Sequence, residues 1–148
     1  MSAIDKALKK CEKLSDEERI TVFVDSYNVV LNAFSDIRQN EQEGFTATLK
    51  TILLAMAADG KFNSDEYSLL ATLIKHVTDK VISYEDAKSM IESLGSPDDY
   101  IETLKHLFSD LMKYSEEAAV SFAVLIITVL AIDGDVSYKE KKWFKKIF

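Results

Sequence analysis

Apolar residues recur every three or four positions along most of the chain, in segments separated by short polar or glycine-containing breaks. That spacing lines up side chains on one face of a helix, and no segment sustains the period-two alternation of a strand. It predicts a first helix over 2–13, with Ile4, Ala7, Leu8 and Cys11 in the stripe. Ser15 and Glu18 have the spacing of a capping box and open a long second helix to about Arg38. Its inward residues are Ile20, Phe23, Val24, Tyr27, Val30, Leu31, Phe34 and Ile37. Polar 39–44 reads as a loop, followed by helices over 45–58 and 64–76 and a fifth opened by Ser83 and Asp86. Gly95-Ser96-Pro97 supplies a helix stop, an N-cap and a first-turn proline, and the sixth helix follows with Ile101, Leu104, Leu107, Phe108 and Leu111 on one face. Ser115 opens a seventh helix that is apolar nearly all round over 118–132 and is therefore expected to be the most buried. An eighth carries Trp143, Phe144 and Ile147. Gly44, Gly60, Gly95, Gly134 and Pro97 all stand at predicted junctions. The expected fold is all-α, one domain over 1–148, a bundle of about eight helices.

One stretch occurs twice. ILLAMAADGKFNSDE at 52–66 returns as IITVLAIDGDVSYKE at 126–140, within repeat units spanning 46–76 and 117–148. Ala57/Ala131, Asp59/Asp133, Gly60/Gly134 and Glu66/Glu140 coincide, and Asn63 matches Ser137 as the cap of the next helix. Each copy is a helix, an Asp-Gly turn and a second helix, so the fold contains an internal duplication. Capping accounts for the Gly, the Asn or Ser, and the Glu three residues later. It leaves Asp59 and Asp133 unexplained, because a carboxylate at a helix C-terminus faces the negative end of the dipole. The alternative is a divalent-cation site using Asp59, Glu66, Asp133 and Glu140. An EF-hand is excluded: Ala55 and Ala57, or Val129 and Ala131, stand where that loop needs oxygen ligands. Bundles often pair helices antiparallel, which puts the two turns at opposite ends and makes them separate.

Two copies of Ala-x-Asp-Gly-x-apolar-x-x-x-Glu, each ending an apolar helix, resemble the TerB-like family of tellurite-resistance proteins. The same module occurs in the N-terminal part of a membrane-anchored DnaJ-like co-chaperone. The resemblance is strongest over 52–74 and 126–148 and falls on Asp59, Gly60, Glu66, Asp133, Gly134 and Glu140. It implies a cytoplasmic helical bundle with an acidic cluster, tied to bacterial stress responses and suspected of metal binding, with no established catalytic activity. Tyr138 and Lys139 depart from the acidic residues often found between the Asp and the Glu.

The chain has 148 residues, 47% hydrophobic and 29% charged, within the range of a folded globular domain. Its formal charge of −7 disfavours nucleic acid as a partner. No apolar run reaches the ~20 residues that span a bilayer, the N-terminal residues lack the pattern of a secretory signal, and one cysteine fits a reducing cytoplasm. The expected partner is a protein, with no cofactor beyond the divalent-metal alternative. Glu102, His106 and Asp110 lie along one helix face and read as a solvated charge ladder rather than a metal site; His76 complements a helix C-terminus, and Cys11 reads as core. The basic C-terminal helix either touches a membrane surface or packs its apolar face into the bundle while its lysines complement the helix dipole. No catalytic triad or phosphate-cradling glycine loop is present, so a non-enzymatic interaction module is expected.

Overall fold

The computed structural model describes residues 3–57, 62–131 and 138–148. Among them are eight helices and no strand: α1 (Ala3–Glu12), α2 (Asp16–Arg38), α3 (Glu41–Ala57), α4 (Ser64–Thr78), α5 (Tyr84–Glu92), α6 (Pro97–Tyr114), α7 (Glu116–Leu130) and α8 (Tyr138–Ile147). The all-α bundle expected from the periodicity is what forms.

Local hydrogen bonds set most helix starts. Ser15 Oγ accepts from the Glu18 amide at 3.2 Å while Glu18 Oε1 accepts from the Ser15 amide at 2.9 Å, closing the capping box of α2. Ser96 and Asp99 form the same box at α6, and Asn63, Ser83 and Ser115 cap α4, α5 and α7. Hydrogen bonds from the serine backbone hold the Glu18 and Asp99 carboxyls below their ordinary range. Gly95 takes φ +102°, the left-handed conformation expected of a stop before α6. Gln39 and Asp79 end α2 and α4 in the same region without a glycine, at φ 52° and 58°.

Helix α3 departs from expectation. It starts at Glu41, where Asn40 Oδ1 accepts from the Glu43 amide at 2.9 Å, so the segment read as a loop is its first turn. Gly44 therefore lies inside a helix. A Cβ there would stand 2.7 Å from both Cα and N of Ser35, so this glycine permits the close crossing of α2 and α3. Helix α7 is also not uniquely buried. Every residue of α3 from 51 to 57 is buried, whereas Val120 of α7 is 58% exposed. Helix α3 packs on α2, α5, α6 and α7, which together enclose its residues 51–57.

Three helices, α2, α3 and α7, form the centre. Phe23, Val30, Phe34, Ile52, Leu53, Leu54, Phe122, Leu125 and Ile126 are essentially removed from water. Thr48, Thr51 and Thr128 are buried too, each hydroxyl donating to a carbonyl of its own helix at 2.7–2.9 Å. Phe148 sits in an aromatic cluster with Phe108, Phe122 and Phe144, tying α8 to α6 and α7. Trp143 is buried with its Nε1–H unpaired, Cys11 is buried as expected, and burial raises the Cys11 thiol pKa.

The direction of the central helices follows from which ends meet. Helices α2 and α3 form a hairpin joined by Gln39 and Asn40 and run antiparallel. Tyr114, beside the start of α7, donates its hydroxyl to Asp36 near the end of α2, at 2.7 Å. At the other end Phe23 of α2 and Thr128 of α7 line one cleft, so α7 also opposes α2. Helices α3 and α7 consequently run parallel. The expectation of an antiparallel pair does not hold for these two helices; the turns that follow them lie outside the described residues.

Candidate functional site

The parallel arrangement organises the candidate site. Helices α3 and α7 finish at the same end of the bundle, beside the N-terminal half of α2. Helix α4 returns from that end: Leu69 and Leu73 face Ile20 and Phe23, and farther along Val77 and Thr78 reach Tyr27, Leu31 and Phe45. Helix α8 returns likewise, its last residues reaching Phe122 in the first half of α7. Glu66, in the first turn of α4, and Glu140, in the first turn of α8, are therefore at this one end.

Their settings differ. Glu66 is half-buried; its amide donates to Asn63 Oδ1 at 2.9 Å. Phe62, next to the cap, stacks on Tyr84 at 5.2 Å and leans on Tyr67 at 5.6 Å, and the Tyr67 hydroxyl donates to the Ile82 carbonyl at 2.7 Å. This aromatic cluster clamps the start of α4 to the segment before α5. Burial, and then the charge of Asp86, raises the Tyr67 pKa. Glu140 is 7% exposed, a carboxylate in surroundings where charge is costly unless compensated. Asp59, Gly60, Asp133 and Gly134 lie outside the described residues, as does the capping role assigned to Ser137. Among the described residues no three His, Cys, Asp or Glu side chains converge.

Beside this end is an open cleft of about 490 Å³ between α2 and α4, with Phe23, Leu73 and Thr128 inside and Ile20, Leu69, Asp16 and Arg19 around it. Arg19 is fixed there, pairing with Asp16 and donating to the Leu14 carbonyl at 2.8 Å. Ile20, expected inward, is 40% exposed, and Leu69 is 51% exposed. The sequence carried a signal for Leu69, which falls one position off the Tyr67/Leu70/Ile74 stripe.

A second cleft, about 670 Å³, lies where α2, α3 and the end of α4 meet, lined by Tyr27, Asn32, Asp36, Asn40, Phe45 and Lys80 among others. Lys80 stands 4.5 Å from the Phe45 ring centroid, a cation–π contact. Burial pushes the Tyr27 phenol up to about 12. Glu102, His106 and Asp110 are all exposed on α6, as a solvated ladder requires, with Lys105 3.8 Å from Glu102. His76 is exposed in the last turn of α4. No helix among the described residues is long and apolar enough to cross a membrane.

No family model, curated protein or solved structure matches this chain.

Proposed function

We propose that this chain is a non-enzymatic binding module of the TerB-like kind, serving a bacterial tellurite-type stress response in the cytoplasm, and that it binds a divalent cation at the end of the bundle where α3 and α7 finish. The observation that carries the reading is the parallel direction of those two helices, with Glu66 and Glu140 both at that end. Turns at opposite ends would give each site one aspartate and one glutamate, too few oxygens for a hard cation. One shared end would let Glu66 and Glu140 serve a single site, to which the Asp59 and Asp133 of the same sequence units would add carboxylate oxygens; such oxygens with completing water suit calcium, magnesium or manganese.

A second reading, a protein partner seated in the cleft beside Ile20 and Leu69, is favoured by the exposure of those two apolar side chains at its rim. Thermal unfolding with calcium, magnesium, manganese or zinc, against chelator, separates the two. Cation binding raises the wild-type midpoint by mass action and leaves Asp133→Asn unmoved. If no ion at millimolar concentration moves the wild-type midpoint, the cation site is refuted and the cleft remains as the binding surface.

A further inference from the structure

The chain's charge is divided unevenly, and the fold joins the basic parts. Residues 3–13 and 138–147 hold nine of the 18 Lys and Arg but three of the 25 Asp and Glu, a local charge of +6. The remainder carries −13, so the net −7 hides a separation. Helices α1 and α8, at opposite ends of the sequence, are linked by an ion pair from Lys141 Nζ to Glu12 Oε1 at 2.7 Å. Helical spacing puts Lys9 one turn before Glu12 and Lys145 one turn after Lys141, so the two basic faces adjoin at this bridge. The exposed residues of α8 are Tyr138, Lys139, Lys142, Lys145 and Lys146, with Trp143, Phe144 and Ile147 turned into the core. Lys6, Lys9, Lys10 and Lys13 are exposed on and just after α1, the helix whose Glu12 makes this bridge.

We propose that the joined outer face of α1 and α8 is a docking surface for an anionic phospholipid bilayer. It goes beyond the cation site and does not depend on it. Charge complementarity carries the argument: a patch of lysines on an acidic body gives one orientation, lysines on the headgroups and the body held away. The apolar face of α8 is spent on the core, so contact is electrostatic and superficial, without insertion of the helix. A bilayer fits better than nucleic acid. The face has no arginine to grip a phosphate or guanine bidentately and no row of aromatics to stack bases. Its one exposed aromatic, Tyr138, 82% exposed, is of the type that settles at headgroup level.

Sedimentation of the whole chain with vesicles tests this. Vesicles of phosphatidylcholine with 30% phosphatidylglycerol should carry the protein down at about 0.1 M salt and release it at about 0.5 M, while pure phosphatidylcholine should not. Each lysine at such a surface contributes about fivefold in affinity. Lys9→Glu/Lys142→Glu should therefore weaken binding more than 20-fold. Lys75→Glu/Lys88→Glu, with the same net charge but on α4 and α5, whose main packing partners include neither α1 nor α8, should bind like wild type. If circular dichroism shows the reversal variant unfolded, Lys9→Gln/Lys142→Gln takes its place, with a loss of at least tenfold expected. Equal binding to neutral vesicles, equal loss in both double variants, or tighter binding to a DNA duplex than to the anionic vesicles would overturn the proposal.

Discussion

Replacing a helix-interior glycine by alanine ordinarily stabilises a protein by about 1 kcal/mol, through lower backbone entropy in the unfolded chain and better helix propensity. At Gly44 the sign should reverse. The added Cβ would fall 2.2 Å from Ser35 Oγ, a contact that hydroxyl rotation can relieve, but also 2.7 Å from Ser35 Cα and N. Ordinary van der Waals contact begins at 3.4 Å, so α2 and α3 must part by about 0.7 Å along that line. The hairpin is anchored on both sides by Val30, Phe34, Leu49 and Ile52, all buried, which resist the separation. Overpacking of this kind costs about 1–3 kcal/mol, and a clash with backbone Cα and N falls in the upper part, about 2–3 kcal/mol, so after the propensity gain of about 1 kcal/mol Gly44→Ala should lose about 1–2 kcal/mol. With a urea slope of about 1–3 kcal/mol/M the midpoint should fall by roughly 0.5–1 M, followed by circular dichroism and Trp143 fluorescence. Ser35→Ala in the same chain removes only Oγ and should restore little. A Gly44→Ala protein as stable as wild type, or more so, would show that the helices do not cross as closely as described.

Three further outcomes follow from the packing. Leu125→Ala, at a fully buried position of α7, should cost about 2–5 kcal/mol in urea unfolding through lost burial and a cavity. Tyr67→Phe removes the donor to the Ile82 carbonyl and should cost about 1 kcal/mol, with faster amide exchange at the start of α4. Tyr27 is neutral in both states below pH 10. Between pH 10 and about 12 only the unfolded chain ionises it, so stability falls as pH rises. Tyr27→Phe should flatten that part of the stability–pH curve in urea titrations and change little at neutral pH.

What was legible in the sequence is what is local. A cap joins residues three apart, so Ser15, Asn63, Ser83, Ser96 and Ser115 could be read from spacing alone, and each forms as expected. The start of α3 was not, because a glycine kept for the approach of another helix looks the same as one that ends a helix. Ile20 has correct stripe spacing on α2 but borders the open cleft between α2 and α4, and which parts of a stripe are covered depends on other elements. The shared direction of α3 and α7 was illegible for a related reason. Parallel and antiparallel pairs bury the same apolar stripes, and the choice comes from connections such as the α2–α3 hairpin and the Tyr114–Asp36 contact, which join residues far apart in sequence. The pairing of α1 with α8 through Glu12 and Lys141 is another such contact, between opposite ends of the sequence.

The central claim is that the two Asp-Gly…Glu units serve one site. The direct measurement is a titration of the protein, isotopically labelled at its carboxylate carbons, with magnesium or calcium, following the side-chain signals of Glu66 and Glu140 by nuclear magnetic resonance. A shared site predicts that both signals move together along a single isotherm that saturates at one ion per chain. Movement of one glutamate alone, two unrelated isotherms, or no movement of either at millimolar ion would contradict it.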